Sequence, residues 1–185
     1  VQAGEPEAAF AYHQLVYSFA GVGVKKNHTV TNPFTAEIIC GNIHISGFDL
    51  RDMLRDMPLR LGGYEPAAFT DSLPVIREEG FRCLVSFATG NVLGLTRNIA
   101  AGTVYTTKQL RDAAWLRENG ISSSVTSGDM VNYVVQPGDN IPLRDLFAKA
   151  SHYDRWAIEW GYRQFPGMDA AAEKKALKAI AEQAK

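Results

Sequence analysis

Histidine and cysteine are scarce in this 185-residue chain, and their placement removes several chemistries at once. The four histidines, His13, His28, His44 and His152, are scattered. No two stand four residues apart, the spacing that puts a metal-binding pair on one helix face. The two cysteines, Cys40 and Cys83, make neither a disulfide framework nor a zinc ribbon; they either pair with each other or sit as buried thiols. An excess of charge of one sign is also missing. Lys+Arg is 19 and Asp+Glu is 20, a formal net charge of -1, which argues against a nucleic-acid or anionic-membrane surface. No apolar run approaches the length needed to span a bilayer. No charged leader followed by an apolar stretch opens the chain, and Val1 is not a natural start, so a mature protein or an excised segment is expected. Gly21-Val22-Gly23 lacks the third glycine and the following helix of a nucleotide site.

What is present is an ordinary folding inventory. With 46% hydrophobic and 21% charged residues, a chain of this length buries a core without help from a disulfide or a metal. Aromatic and branched residues make 12–19 a strand. Asn32-Pro33 marks a turn, and residues 35–46 (TAEIICGNIHIS) form the clearest strand. There Ile43 and Ile45 alternate with Asn42, His44 and Ser46, the pattern of a half-buried edge or near-edge strand, and Gly41 suggests a bulge or a close backbone approach. Residues 48–57 have helical spacing up to Pro58. A long helix is expected over 75–93, led in by Pro74, and an amphipathic one over 107–119 with a stop at Asn119-Gly120. Residues 122–128 (SSSVTSG) read as a loop, and Pro137-Gly138 as a turn. Residues 152–162 read as a helix with Trp156, Ile158, Trp160 and Tyr162 partly buried, and Asp169 as the cap of a last helix to 185. Asp49 with Asp52, and Glu78 with Glu79, read as solvated polar faces. His44 reads as half-exposed and structural.

Residues 84–98, LVSFATGNVLGLTRN, carry the functional argument. Their glycine placement and VLGL run resemble the zinc helix of metzincin-type peptidases, HExxHxxGxxH. In that pattern two histidines share a helix face, the glutamate activates a metal-bound water, and the glycine turns the chain so that a third histidine returns to the metal. The surrounding segments are similar in order and spacing to one bacterial family of large, secreted zinc-dependent metallopeptidases. That family has a DPRTGEI-like strand, a helix ending GHTLGLRHN, an SxMDYxxxNYVAQPGD loop and a YDxxAIxWGYR segment. Here stand NPFTAEI at 32–38, GNVLGLTRN at 90–98, NYVVQPGD at 132–139 and YDRWAIEWGYR at 153–163, with QLRDAAW at 109–115 and NGISSSV at 119–125 between them.

The resemblance implies a zincin-like α/β (α+β) fold, a mixed twisted sheet with a long central helix. It implies a domain over 1–165 with 166–185 as a helical extension of it, and further sheet and helix before the first strand, so a truncated domain is expected. An extracytoplasmic setting, zinc as the cofactor of the resembled family, and a peptide or protein segment as partner are implied too. In that family's sheet an extended substrate adds to an edge strand by backbone hydrogen bonds, and Ile38, Ile43, His44 and Ile45 are the residues expected there.

The departures from the pattern fall on its chemistry. Gly94 matches the turn glycine, but the histidine positions hold Phe87, Asn91 and Arg97, and the glutamate position holds Ala88. Thr126 stands where the Met-turn methionine is expected, and Ser127-Gly128 where Asp-Tyr is expected. Phenylalanine and alanine offer a metal no lone pair, arginine is always protonated, and an amide oxygen is a ligand zinc seldom uses. Phe87 reads as a core aromatic filling the metal's place. Arg97 is either an ordinary surface arginine or a guanidinium that fills the vacated cleft and pairs with Asp129 or Asp154. The sequence thus points to an inactive peptidase homologue with no metal and with a retained peptide cleft. An active zinc endopeptidase using other ligands and a purely structural domain with a closed cleft are the alternatives.

Overall fold

The first quarter of the chain makes a small sheet: β1 (Gln14–Ser18), β2 (His28–Thr31) and β3 (Ile38–Ser46). The computed structural model describes residues 14–18, 28–47, 51–52, 55–56, 61 and 68–183. The expected helix at 48–57 lies largely outside them, although residues 51–52 and 55–56 are helical. β3 is the middle strand. β1 runs parallel to it along Asn42–Ser46, and β2 antiparallel along Ile38–Asn42. This corrects the edge-strand expectation for Ile38, Ile43, His44 and Ile45, because an alternating pattern does not count a strand's neighbours. Cys40 and Asn42 are buried on one face and Ile45 on the other, so both sides of the strand are covered at its centre. The irregularity expected at Gly41 falls one step away: Val30 faces Cys40 but Thr31 faces Ile38, so Ile39 is skipped and half-exposed. The asparagine-proline turn between β2 and β3 is closed by Asn32, whose side chain accepts from the Phe34 amide and whose backbone bonds Glu37.

Against β3 packs α1 (Ala68–Val92), 25 residues and, at about 1.5 Å per residue, nearly 40 Å long. It begins before Pro74, which lies inside the helix and does not lead into it. Ile76, Gly80 and Cys83 recur at helical spacing on its buried face. They close one side of a core completed by Leu116, Ile121, Val131, Ile141, Leu146 and Phe147. Much of that core therefore comes from segments with little regular structure. A single antiparallel bridge between Val131 and Phe147 is flanked by the bonds from Asn132 to Leu146 and from Ala148 to Met130.

Among the described residues after α1, the helices are α2 (Thr107–Leu110), α3 (Ala113–Asn119), α4 (His152–Tyr162) and α5 (Ala170–Ala181). One helix over 107–119 is thus divided in two. Asp112 is the cause: its carboxylate accepts from the amides of Ala114 and Trp115, which starts a new helix in mid-pattern. Gly120 ends α3 at φ 75, as its position after Asn119 suggests. Asp169 caps α5 through the Ala172 amide. Trp156, expected to be partly buried, packs and donates to the Ile180 carbonyl at 2.7 Å, whereas Trp160 is 52% exposed. Cys40 and Cys83 are both buried, and they do not pair with each other. The chain is mixed α+β, and no helix among the described residues is long and apolar enough to cross a membrane.

Candidate functional site

Where α1 stops, the backbone makes the turn that the glycine pattern foretells. Gly94 sits at φ +88, a left-handed conformation that side chains with a Cβ rarely adopt. Its amide bonds the Asn91 carbonyl, and the Leu95 amide reaches back to Gly90. The chain then returns as residues 95–98. Asn98 caps the short 3-10 turn Ile99–Thr103 by accepting from the Ala101 amide.

Beneath this return lies a second tight turn, Val125–Ser127, and Thr126 at its centre is fully buried. Thr126 holds the assembly together on two sides. Its hydroxyl donates to the Thr96 carbonyl at 3.0 Å, and its own carbonyl accepts from the Asn98 amide at 3.1 Å. Its methyl group lies against Gly90 of α1, where an added Cβ would stand only 2.9 Å away. Gly90 is therefore required by a close approach between helix and turn. The side chain of Thr126 does for the helix and the returning segment what a buried apolar residue could do only by packing.

Residues 122–127 (SSSVTS) read as loop in sequence, yet all six are buried. The reason is a polar network around Asp154, which is 4% exposed. Its carboxylate accepts from the Ser124 hydroxyl at 2.6 Å, the Val125 amide at 2.8 Å and the Ser151 amide at 2.9 Å. The Ser124 oxygen also accepts from the Thr126 amide and lies 2.9 Å from the Thr126 hydroxyl, and Ser122 donates to the Ser124 carbonyl. Asp154 thus fixes the turn from the first turn of α4. The other end of α4 reaches the same place: the Tyr162 hydroxyl donates to the Leu93 carbonyl at the end of α1, and burial raises that phenol's pKa. Sequence reasoning missed this role for both residues. A legible signal was Ser151 followed three residues later by Asp154, an N-terminal box that announces a carboxylate turned inward.

Phe87 and Asn91 lie half-buried on α1, Ala88 between them is buried, and Arg97 on the returning segment is exposed. Phe87 is therefore not the fully buried plug that its spacing suggests. Arg97 does not pair with Asp154, whose carboxylate is occupied as described, nor with Asp129, whose carboxylate lies against Gly102. Its guanidinium rests instead on Gly128, at φ +96, where an added Cβ would meet Nη2 at 2.9 Å. His44 is half-buried on β3, and His152 is exposed at the start of α4.

Three ion pairs around two carboxylates brace the scaffold. Arg111 grips Asp139 through Nε and Nη2, with the shortest contact at 2.8 Å, and this holds the Asp139 carboxyl below the usual carboxylate range. Glu79, 3% exposed, accepts from Arg82 and from Arg144, each at 2.6 Å. The solvated-face reading holds for Glu78 and fails for Glu79, because Arg144 arrives from a distant segment that helical spacing cannot reveal. Cys83 lies deep beside the Ala148 carbonyl, and burial pushes its thiol up to about 11, leaving it inert as a nucleophile.

A long helix ended by a left-handed glycine, an irregular segment that returns past it and a buried turn stacked under both fit a zincin-type peptidase scaffold. The chain belongs to the Met-zincin family, whose model matches residues 75–185, more than half of its length. No curated protein and no solved structure matches it. Zinc, which this family implies, needs imidazole, thiolate or carboxylate donors converging on one point. Phe87, Asn91 and Arg97 do not fit that requirement, and among the described residues no three His, Cys, Asp or Glu side chains cluster to replace them.

Proposed function

We propose that this chain is a catalytically inactive Met-zincin that has kept the peptidase scaffold as a peptide-holding module. One observation carries the reading. Parts that shape the site are present, Gly94 at its turn, Gly90 against Thr126 and Thr126 bonded to the returning segment. The residues that would do chemistry at the same positions are Phe87, Ala88, Asn91 and Arg97. Loss of the general base alone costs on the order of 10²–10⁴ in rate. Loss of the metal removes both the activated water and the polarised carbonyl.

Peptide binding by strand addition needs only backbone groups, so it survives such replacements. The outer antiparallel strand of the described sheet is β2, and the peptide-holding edge is therefore assigned to His28–Thr31 and not to β3. Incubation with a fluorogenic peptide library in zinc-supplemented buffer tests the reading. The expected result is no chelator-sensitive hydrolysis, together with slowed hydrogen exchange of the β2 amides by the bound peptide fraction. Chelator-sensitive turnover, or peptides that leave β2 exchange unchanged, would overturn the corresponding half of it.

A further inference from the structure

We propose that α5 is a strap that opens on its own, uncovering Trp156 of α4 while the turn beneath the site stays closed. The inference goes beyond the peptide-holding reading and does not depend on it. α4 carries two stripes. Asp154, Ile158 and Tyr162 recur every four residues, and the two polar members are tied inward, Asp154 to the buried turn and Tyr162 to the Leu93 carbonyl. At about 3.6 residues per turn, Tyr153, Trp156 and Trp160 fall together on the other side of the helix. The Tyr153 and Trp156 rings meet there with centroids 5.6 Å apart. α5 packs on this second stripe: the Trp156 indole donates to the Ile180 carbonyl at 2.7 Å, and Ile180 is 4% exposed.

The hold on α5 is thin. Ala176 and Leu177 are half-buried, and every other residue of the helix apart from Ile180 is exposed. The Asp169 cap and the Lys178–Glu182 pair are local to the helix. Among the described residues, the bond from Trp156 is the one hydrogen bond that ties α5 to the rest of the chain. Rich in alanine and lysine, α5 favours helix, but a helix of 12 residues is marginal on its own, so undocking and melting are one event. Segments with few buried apolar contacts open as separate units, at lower cost than the core. α4, in contrast, is bonded at both ends through its first stripe, so its hold on the turn does not need α5.

Native-state hydrogen exchange of the full chain in low urea, read by NMR, tests this. The α5 amides should exchange as a group, at least about a hundredfold faster than the buried-face amides of α1 and with a smaller urea dependence. The Trp156 Nε1–H should exchange with them, while the Val125 and Thr126 amides stay protected. Trp156→Phe keeps a ring but removes the donor, and should speed α5 exchange at least about fivefold without changing Val125. Ile180→Asp should leave α5 unprotected in an otherwise folded chain. Lys175→Gln, on the exposed side of α5, should change little. Exchange of α5 only together with α1, opening of Val125 along with it, or unfolding of the whole chain by Ile180→Asp would overturn the proposal. So would α5 exchange left unchanged by Trp156→Phe.

Discussion

Replacing Asp154 by alanine should be among the most destabilising single changes in this protein. The carboxylate accepts three hydrogen bonds within a 4% exposed pocket, from Ser124, Val125 and Ser151. Alanine leaves two buried backbone N–H groups and one hydroxyl to find other partners. Each unsatisfied buried donor costs about 1–3 kcal/mol, but the Ser124 hydroxyl can turn to Thr126. The two amides then set the loss at about 3–5 kcal/mol, in the range seen when a buried charge loses its site. For a domain of this size that is a fall in Tm of roughly 10 °C. Asp154→Asn should cost less, because an amide oxygen can still accept from both backbone amides while its NH2 donates to Ser124. Urea unfolding of wild type, Asp154→Asn and Asp154→Ala is the assay, with stability falling in that order. A loss below about 1 kcal/mol for the alanine variant would refute the claim that Asp154 organises the turn beneath the site.

Three other outcomes follow from the same structure. Glu79→Ala should destabilise by about 1–3 kcal/mol in urea, whereas Glu78→Ala beside it should change little, since only Glu79 is buried between two arginines; equal effects would contradict the assignment. Cys83, raised from 9.0 to about 11, contributes stability that is fully present below pH 9 and is lost as pH rises through about 11. Alkaline unfolding should therefore soften in Cys83→Ala, and iodoacetamide at neutral pH should label Cys83 only after unfolding, as read by mass spectrometry. Phe87→His, Ala88→Glu, Asn91→His and Arg97→His introduced together should yield a folded chain that takes up zinc. A folded quadruple variant without zinc uptake would show that these positions do not converge.

The sequence made the local features legible. Gly94, the stop at Asn119-Gly120, the limits of α4 and the Asp169 cap all depend on residues within a few positions of one another. Features that depend on distant partners were hidden. β3 alternates like an edge strand but lies between β1 and β2, because sheet order is set by which segments meet. Glu79 belongs to a polar helix face by spacing, yet Arg144, 65 residues away, buries it. The serine-rich run 122–127 has the composition of a solvated loop; only the carboxylate of Asp154 makes its burial affordable. At the site itself the order of motifs located the scaffold and the altered positions, while the resting place of Arg97 on Gly128 needed coordinates.

The central claim is that the peptidase scaffold persists without a metal-binding donor set, and zinc stoichiometry tests it most directly. Protein purified from zinc-supplemented medium, dialysed without chelator and measured by elemental analysis should carry far less than one zinc per chain. One zinc per chain, released by chelator with loss of peptide hydrolysis, would contradict the account.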